Sequence, residues 1–115
     1  MSKRSDFTLL RDIQEAAKRI FLFTRKIGYE KFSRDIKTQD AVIHILQIIG
    51  EAASRISKES KDKYKEISWR KIIGLRNKIV HDYSGMDFDI IWEILEDYLP
   101  DLAPQIDEAV KKEKE

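Results

Sequence analysis

The chain has 115 residues, 42% of them hydrophobic and 37% charged, with 22 basic against 21 acidic side chains and a formal net charge of +1. This describes one small domain with a modest core, too apolar for disorder and too evenly charged to draw nucleic acid globally, so any RNA or DNA contact must come from a local patch. There is no cysteine, which excludes disulfides, zinc knuckles, iron–sulfur ligation and thiol catalysis and fits the cytoplasm.

The residues after Met1, "SKRSDFTLL", contain no apolar h-region, and no run approaches the roughly 18 apolar residues needed to cross a bilayer. No leader and no membrane partner are therefore expected. Four glycines and two prolines leave room for long helices. The first should run from about Phe7 to Ile27, with Leu10, Ile13, Ala17, Ile20 and Phe21 at helical spacing, and should end at Gly28. "YEKFSRD" reads as a connector with one helical turn, anchored by Phe32. The second helix should run from Thr38, as its N-cap, to Ser57. Its surface is almost wholly apolar, save for Asp40, His44, Gln47, Glu51 and Arg55, which fall within about 80° of one another. Such a helix is central, and its polar stripe either faces solvent or lines a cleft. Gly50, Ala52 and Ala53 would let another helix approach closely.

"SKESKDKYKEI" reads as a charged connector with a turn of helix around Lys61–Tyr64. Ser68 should cap a third long helix, Trp69 to His81, and "YSGMD" should break it at Gly85. Asp87 should cap a fourth, Phe88 to Leu99, buried through Ile91, Trp92, Leu95 and Leu99. Pro100 and Pro104 punctuate the next segment, where Leu102, Ile106 and Val110 suggest a last short helix. "KKEKE", residues 111–115, reads as a solvated tail. No segment alternates as a strand and no repeat is evident. Residues 1–115 should thus form a single all-α domain, an up-and-down bundle of about four to five helices. So many large apolar residues on several helices also exceed what one small core hides, which points to a homodimer.

The anomaly is "LRNKIVHDY", Leu75–Tyr83. With Arg76 at 0° on the third helix, Trp69, Val80 and Ile73 fall near +20°, +40° and +60°, and Ile72 and Ile79 near −40° and −60°, all roughly. Arg76 thus stands amid apolar residues. Tyr83 would follow beside it, while Asn77 and His81 share a shoulder next to Arg70, Lys71 and Lys78. An arginine aimed at a core is costly without an anion or acceptors. One reading is structural: Arg76 pairs with Glu51 or Asp40 and fixes the helix register, and His81 caps the helix end. The other is a phosphate site, with a guanidinium to fork onto oxygens, a histidine to move protons and a tyrosine to stack or donate its hydroxyl.

"LRNKIVHDY" resembles the R-x4-H-x-Y signature of HEPN-domain proteins. "FTRKIGYEKFSRDIKTQDAVIHILQIIGEAASRIS", "ISWRKIIGLRNKIVHDYSGMDFDIIWEIL" and "YLP" together resemble the HepT branch, the HEPN toxins paired with minimal nucleotidyltransferases, over roughly Leu10 to Ile106. The resemblance implies a dimeric helical bundle that brings two motifs together as a metal-independent endoribonuclease acting on mRNA or tRNA, in a type VII-like toxin–antitoxin pair. It also implies an antitoxin partner, a minimal nucleotidyltransferase that adds AMP to Tyr83 and silences the toxin. Arg76, Asn77 and His81 would be the catalytic set, with Glu51 and Lys78 in support, and no cofactor or metal would be required. The alternative is a non-catalytic module that binds a nucleotide or the nucleotidyltransferase. His44, with Asp40 one turn before it, lacks a third metal ligand and reads as a cleft hydrogen-bonding group; Trp69 and Trp92 read as core or dimer packing. Arg70, Lys71 and Lys78 could form a local RNA-contacting patch.

Overall fold

The computed structural model describes residues 4–82 and 87–114 and is helical throughout its ordered elements. The helices are α1 (Asp6–Thr24), α2 (Tyr29–Arg34), α3 (Ile36–Arg55), α4 (Lys58–Lys63), α5 (Trp69–Asp82), α6 (Phe88–Glu93) and α7 (Leu99–Lys114). A π-helical turn over Ile94–Tyr98 joins α6 to α7, so the two form one continuous rod. The expected all-α bundle is present. Its four long members are α1, α3, α5 and the α6–α7 rod, with α2 and α4 as short connectors.

The local signals set most boundaries, with instructive shifts. α1 begins at Ser5, whose hydroxyl accepts the Thr8 N–H at 3.1 Å, and ends at Thr24, before Gly28. Gly28 instead precedes α2 as its N-cap, with extended backbone. α3 starts three residues earlier than its sequence suggests. Asp35 is the cap, accepting the Thr38 N–H at 3.1 Å and the Thr38 hydroxyl at 2.7 Å. Those two bonds, hydroxyl first, hold the Asp35 carboxyl below its ordinary pKa. Thr38 is thus the capped residue and not the cap. Asp87 caps α6 as expected, through the Asp89 N–H at 2.8 Å. The expected break at Gly85 lies outside the described residues.

The expected break at Pro100 does not occur. A proline inside a helix lacks a donor and crowds the carbonyl one turn back. Here the Leu99 N–H bonds to the Ile94 carbonyl, five residues back, and this widened turn absorbs the mismatch just ahead of the ring. α7 then runs through Pro104 as a full 16-residue helix, not a short one.

α3 lies against both α1 and α5, and α7 lies along α1. The central burial of α3 follows its composition: Val42, Ile43, Ile45, Leu46, Ile49 and Ala53 are all buried. α1 contributes Leu10, Ile13, Ala17 and Ile20, and the rod contributes Ile91, Leu99, Leu102 and Ile106. Phe32 is the expected anchor, fully buried, with its ring 5.2 Å from Trp92 and 6.4 Å edge-on from Phe88. Trp69 is buried and donates its indole N–H to the Tyr64 carbonyl at 3.1 Å. Tyr98 ties the rod to the start of α5 by donating to the Ser68 carbonyl at 3.1 Å, and burial raises its pKa to about 12. Among the described residues, no helix is long and apolar enough to cross a membrane.

Candidate active site

α5 carries its polar residues across a tight junction with α3. A Cβ placed on Gly50 would overlap the Cβ of Arg76 and stand 2.8 Å from its Cγ and 3.2 Å from the Ile72 carbonyl oxygen. Only glycine lets the two helices meet there. The alkyl stem of Arg76 lies on that bare spot, and the guanidinium extends beyond it toward the rim. A long cationic side chain can thus occupy an apolar flank without burying its charge. Arg76 retains 30% side-chain exposure.

The apolar face of α5 extends to both sides of Arg76, with Trp69 buried and Ile73 packed on the core on one side and Ile72 and Ile79 on the other. Ile72 and Ile79 are its deeply buried members, whereas Val80 is 50% exposed. Arg76 thus stands within that face, as its spacing suggests, with its stem on the α3 contact and its guanidinium at the rim.

At the rim, Arg76 meets Glu51 from the α3 stripe. Its Nε donates to Glu51 Oε1 at 2.6 Å, and its Nη2 makes a second, shorter contact with the same oxygen. Nη1 donates to Asn77 Oδ1 at 2.8 Å. The other Glu51 oxygen lies 3.9 Å from Arg55 Nη2. The guanidinium is thereby held from two sides by a carboxylate and an amide. This is a partly exposed ion pair, so it fixes orientation more than it adds stability.

His81 is exposed near the end of α5. It lies about 140° around the helix from Arg76, and Asn77 stands between them at about 100°. Asn77 and His81 are one turn apart on the same face. Lys78 is exposed on that side as well. Within one chain the helix thus turns Arg76 toward α3 and His81 toward solvent, with Asn77 as the bridge. Tyr83 lies outside the described residues.

The stripe on α3 lines a cleft. His44, Gln47, Glu51 and Arg55 border a groove of about 340 Å³ whose other wall comes from Arg4, Leu9 and Asp12. Arg4 is paired with Asp12 across that wall at 2.9 Å. Glu51 therefore touches the groove and the arginine at once. Neither the α1 wall nor the choice of Glu51 over Asp40 could be read from spacing. Both depend on where α3 meets its neighbours.

Fold and site together define a small all-α domain that presents Arg76, Asn77 and His81 on one helix, braced by Glu51 on the next. The model of the family described as Ribonuclease HepT-like matches residues 13–109, and the chain belongs to that family. A protein of Thermococcus cleftensis carrying the name "Probable ribonuclease HepT" is 40% identical over 95% of this chain and 99% of its own length. Two proteins of Methanocaldococcus jannaschii, each named "Putative RNase", are 36% and 35% identical over 96% and 93% of this chain and 92% and 98% of their own lengths. No solved structure matches the chain.

Proposed function

We propose that this chain is a metal-independent endoribonuclease toxin, cutting RNA at a site composed by two copies of the chain. The observation that carries the reading is the state of Arg76. Its stem is seated on Gly50, its guanidinium is oriented by Glu51 and Asn77, and it still reaches solvent beside a helix face bearing an exposed His81. A purely structural cation would need Glu51 but not the histidine. Family membership and the ribonuclease names of the relatives support the same reading.

The chemistry uses the substrate's own nucleophile. His81 takes the proton from a ribose 2′-hydroxyl, the oxygen attacks the adjacent phosphorus, and the bond to the 5′ oxygen breaks. The leaving oxygen gains a proton, and the RNA ends in a cyclic phosphate. Such a reaction needs a proton acceptor, a proton donor and a cation for the charge that develops on phosphorus. One chain offers a single histidine in the motif, and that histidine points away from Arg76. A second chain would supply the second acid–base group and bring an Arg76 opposite a His81. Asn77 holds the guanidinium, and Lys78 adds charge for the RNA backbone.

Tyr83 is the switch in this reading. A partner nucleotidyltransferase would join AMP from ATP to the tyrosine hydroxyl with release of pyrophosphate. The bulk and negative charge added two residues after His81 in the motif would then repel RNA.

The test is RNA cleavage in EDTA by the unmodified protein, by protein carrying AMP on Tyr83 as established by peptide mass, and by a His81→Ala variant. Cleavage by the first alone supports the reading. If the unmodified protein leaves every RNA intact, the Arg76–Glu51 pair is a register device and the chain is a nucleotide- or partner-binding module.

A further inference from the structure

Gly74 lies in mid-helix on α5, is exposed, and would meet nothing within 4 Å among the described residues if it carried a Cβ. A helical glycine is less favourable than alanine and here has no packing partner to require it. Its surroundings are not neutral. Taking Arg76 as 0°, Gly74 lies near 160°, with Asn77, Arg70 and His81 at about 100°, 120° and 140° and Lys78 and Lys71 at about 200° and 220°. The bare backbone is therefore the centre of the exposed face. Among the described residues, neither Arg70 nor Lys78 is paired with a carboxylate. Lys71 rests over the Tyr98 ring at 4.7 Å, which leaves its charge at the same surface. At the start of α5 the face runs into a shallow basin whose charged walls are Lys61, Lys65, Arg70, Lys71 and one carboxylate, Asp62.

We infer that the RNA phosphodiester backbone runs along this face of α5, crosses the helix in contact with Gly74, and is held on either side by Arg70 and Lys78. The inference rests on the ribonuclease reading and names the path by which substrate reaches His81. The charge of the face selects the occupant. A chain that is almost neutral overall concentrates cations here, which suits a polyanion. The second copy that completes the site would meet this face at its His81 end; docked further along, it would set Arg70 and Lys71 against their own counterparts, a like-charge contact, which leaves that stretch to the polyanion. The missing Cβ suits a sugar–phosphate strand lying close to the helix backbone.

The decisive variant is Gly74→Ala, because the inference gives it opposite effects on folding and on binding. With no clash inside the chain, it should raise Tm by about 4 °C. It should also weaken a labelled 2′-O-methyl RNA oligonucleotide, which cannot be cut, by about fivefold, the size of one displaced contact. The oligomeric mass by sedimentation should not change. Arg70→Gln and Lys78→Gln should each reduce the slope of log affinity against log salt by about 0.7. Unchanged binding by Gly74→Ala, a fall in Tm, a change in oligomeric mass, or a parent that binds no RNA each overturns the inference; a change in mass would mark the face as a contact between copies. A parent that binds through this face but cuts nothing sinks the ribonuclease reading and leaves the path intact. A parent that cuts RNA while Gly74→Ala binds and cuts identically does the reverse.

Discussion

Gly50 and Gly74 interrupt long helices in the same way and at the same expense, about 1 kcal/mol each relative to alanine. At Gly50 the reason is visible, since any side chain would collide with Arg76 and α5 could not seat on α3. At Gly74 the described residues supply no such reason. One side of α5 is thus set by packing, and on the inference above the other is set by the RNA strand. The difference separates residues that build the site from residues that meet its substrate, and it can be tested from both sides.

The largest expected effect is on the open side. His81→Ala should cut RNA cleavage by at least about 100-fold, the usual lower range for a lost acid–base group. Because His81 is exposed, thermal unfolding of the variant should match the parent, and a matching loss of stability would make the histidine structural. On the packed side, Gly50→Ala should destabilise the fold by about 2 kcal/mol. Overpacking of about 3 kcal/mol is relieved by about 1 kcal/mol of helix propensity, and a lower urea midpoint at unchanged slope would register it. Glu51→Gln sits between the two sides. It removes the charge that orients a partly exposed Arg76, so stability should fall by less than about 1 kcal/mol. Cleavage should drop by about tenfold, or about 1.4 kcal/mol. Equal losses in both would erase the distinction between the packed and open sides. Gly74→Ala should be the mirror image of Gly50→Ala, adding about 1 kcal/mol of stability while RNA binding weakens.

The smallest effect lies away from α5 altogether. Glu113 accepts hydrogen bonds from the Tyr64 hydroxyl and from Lys63, and these lower its pKa. A carboxylate with a depressed native pKa contributes fully above its unfolded value of about 4.3. It loses that contribution as pH falls through the native value. The stability of Glu113→Gln should therefore lie slightly below the parent at neutral pH and converge with it below about pH 4, in parallel urea titrations.

Much of this architecture is legible in the sequence because helix formation is largely local. Leu10, Ile13, Ala17 and Ile20 mark the buried face of α1 by spacing alone, and Phe32 and Asp87 act as anchor and cap where the sequence places them. Boundaries shifted where two local signals competed. Asp35 outcompeted Thr38 as a cap because its carboxylate takes both the N–H and the hydroxyl of that threonine. Pro100 reads as a stop in any helix of uniform pitch, and it was passed because the preceding turn widened.

By itself, the sequence determined an all-α domain, a central apolar α3 with one polar stripe, and an arginine out of place among apolar neighbours. These follow from periodicity, which each helix carries within its own residues. Only the tertiary structure decided that Glu51, and not Asp40, braces Arg76, that the stripe lines a groove walled by Arg4, Leu9 and Asp12, and that Gly74 meets no packing partner among the described residues. Those outcomes depend on where α3 meets α5 and α1. That meeting point is set by the approach Gly50 permits, a relation between helices that no single helix records.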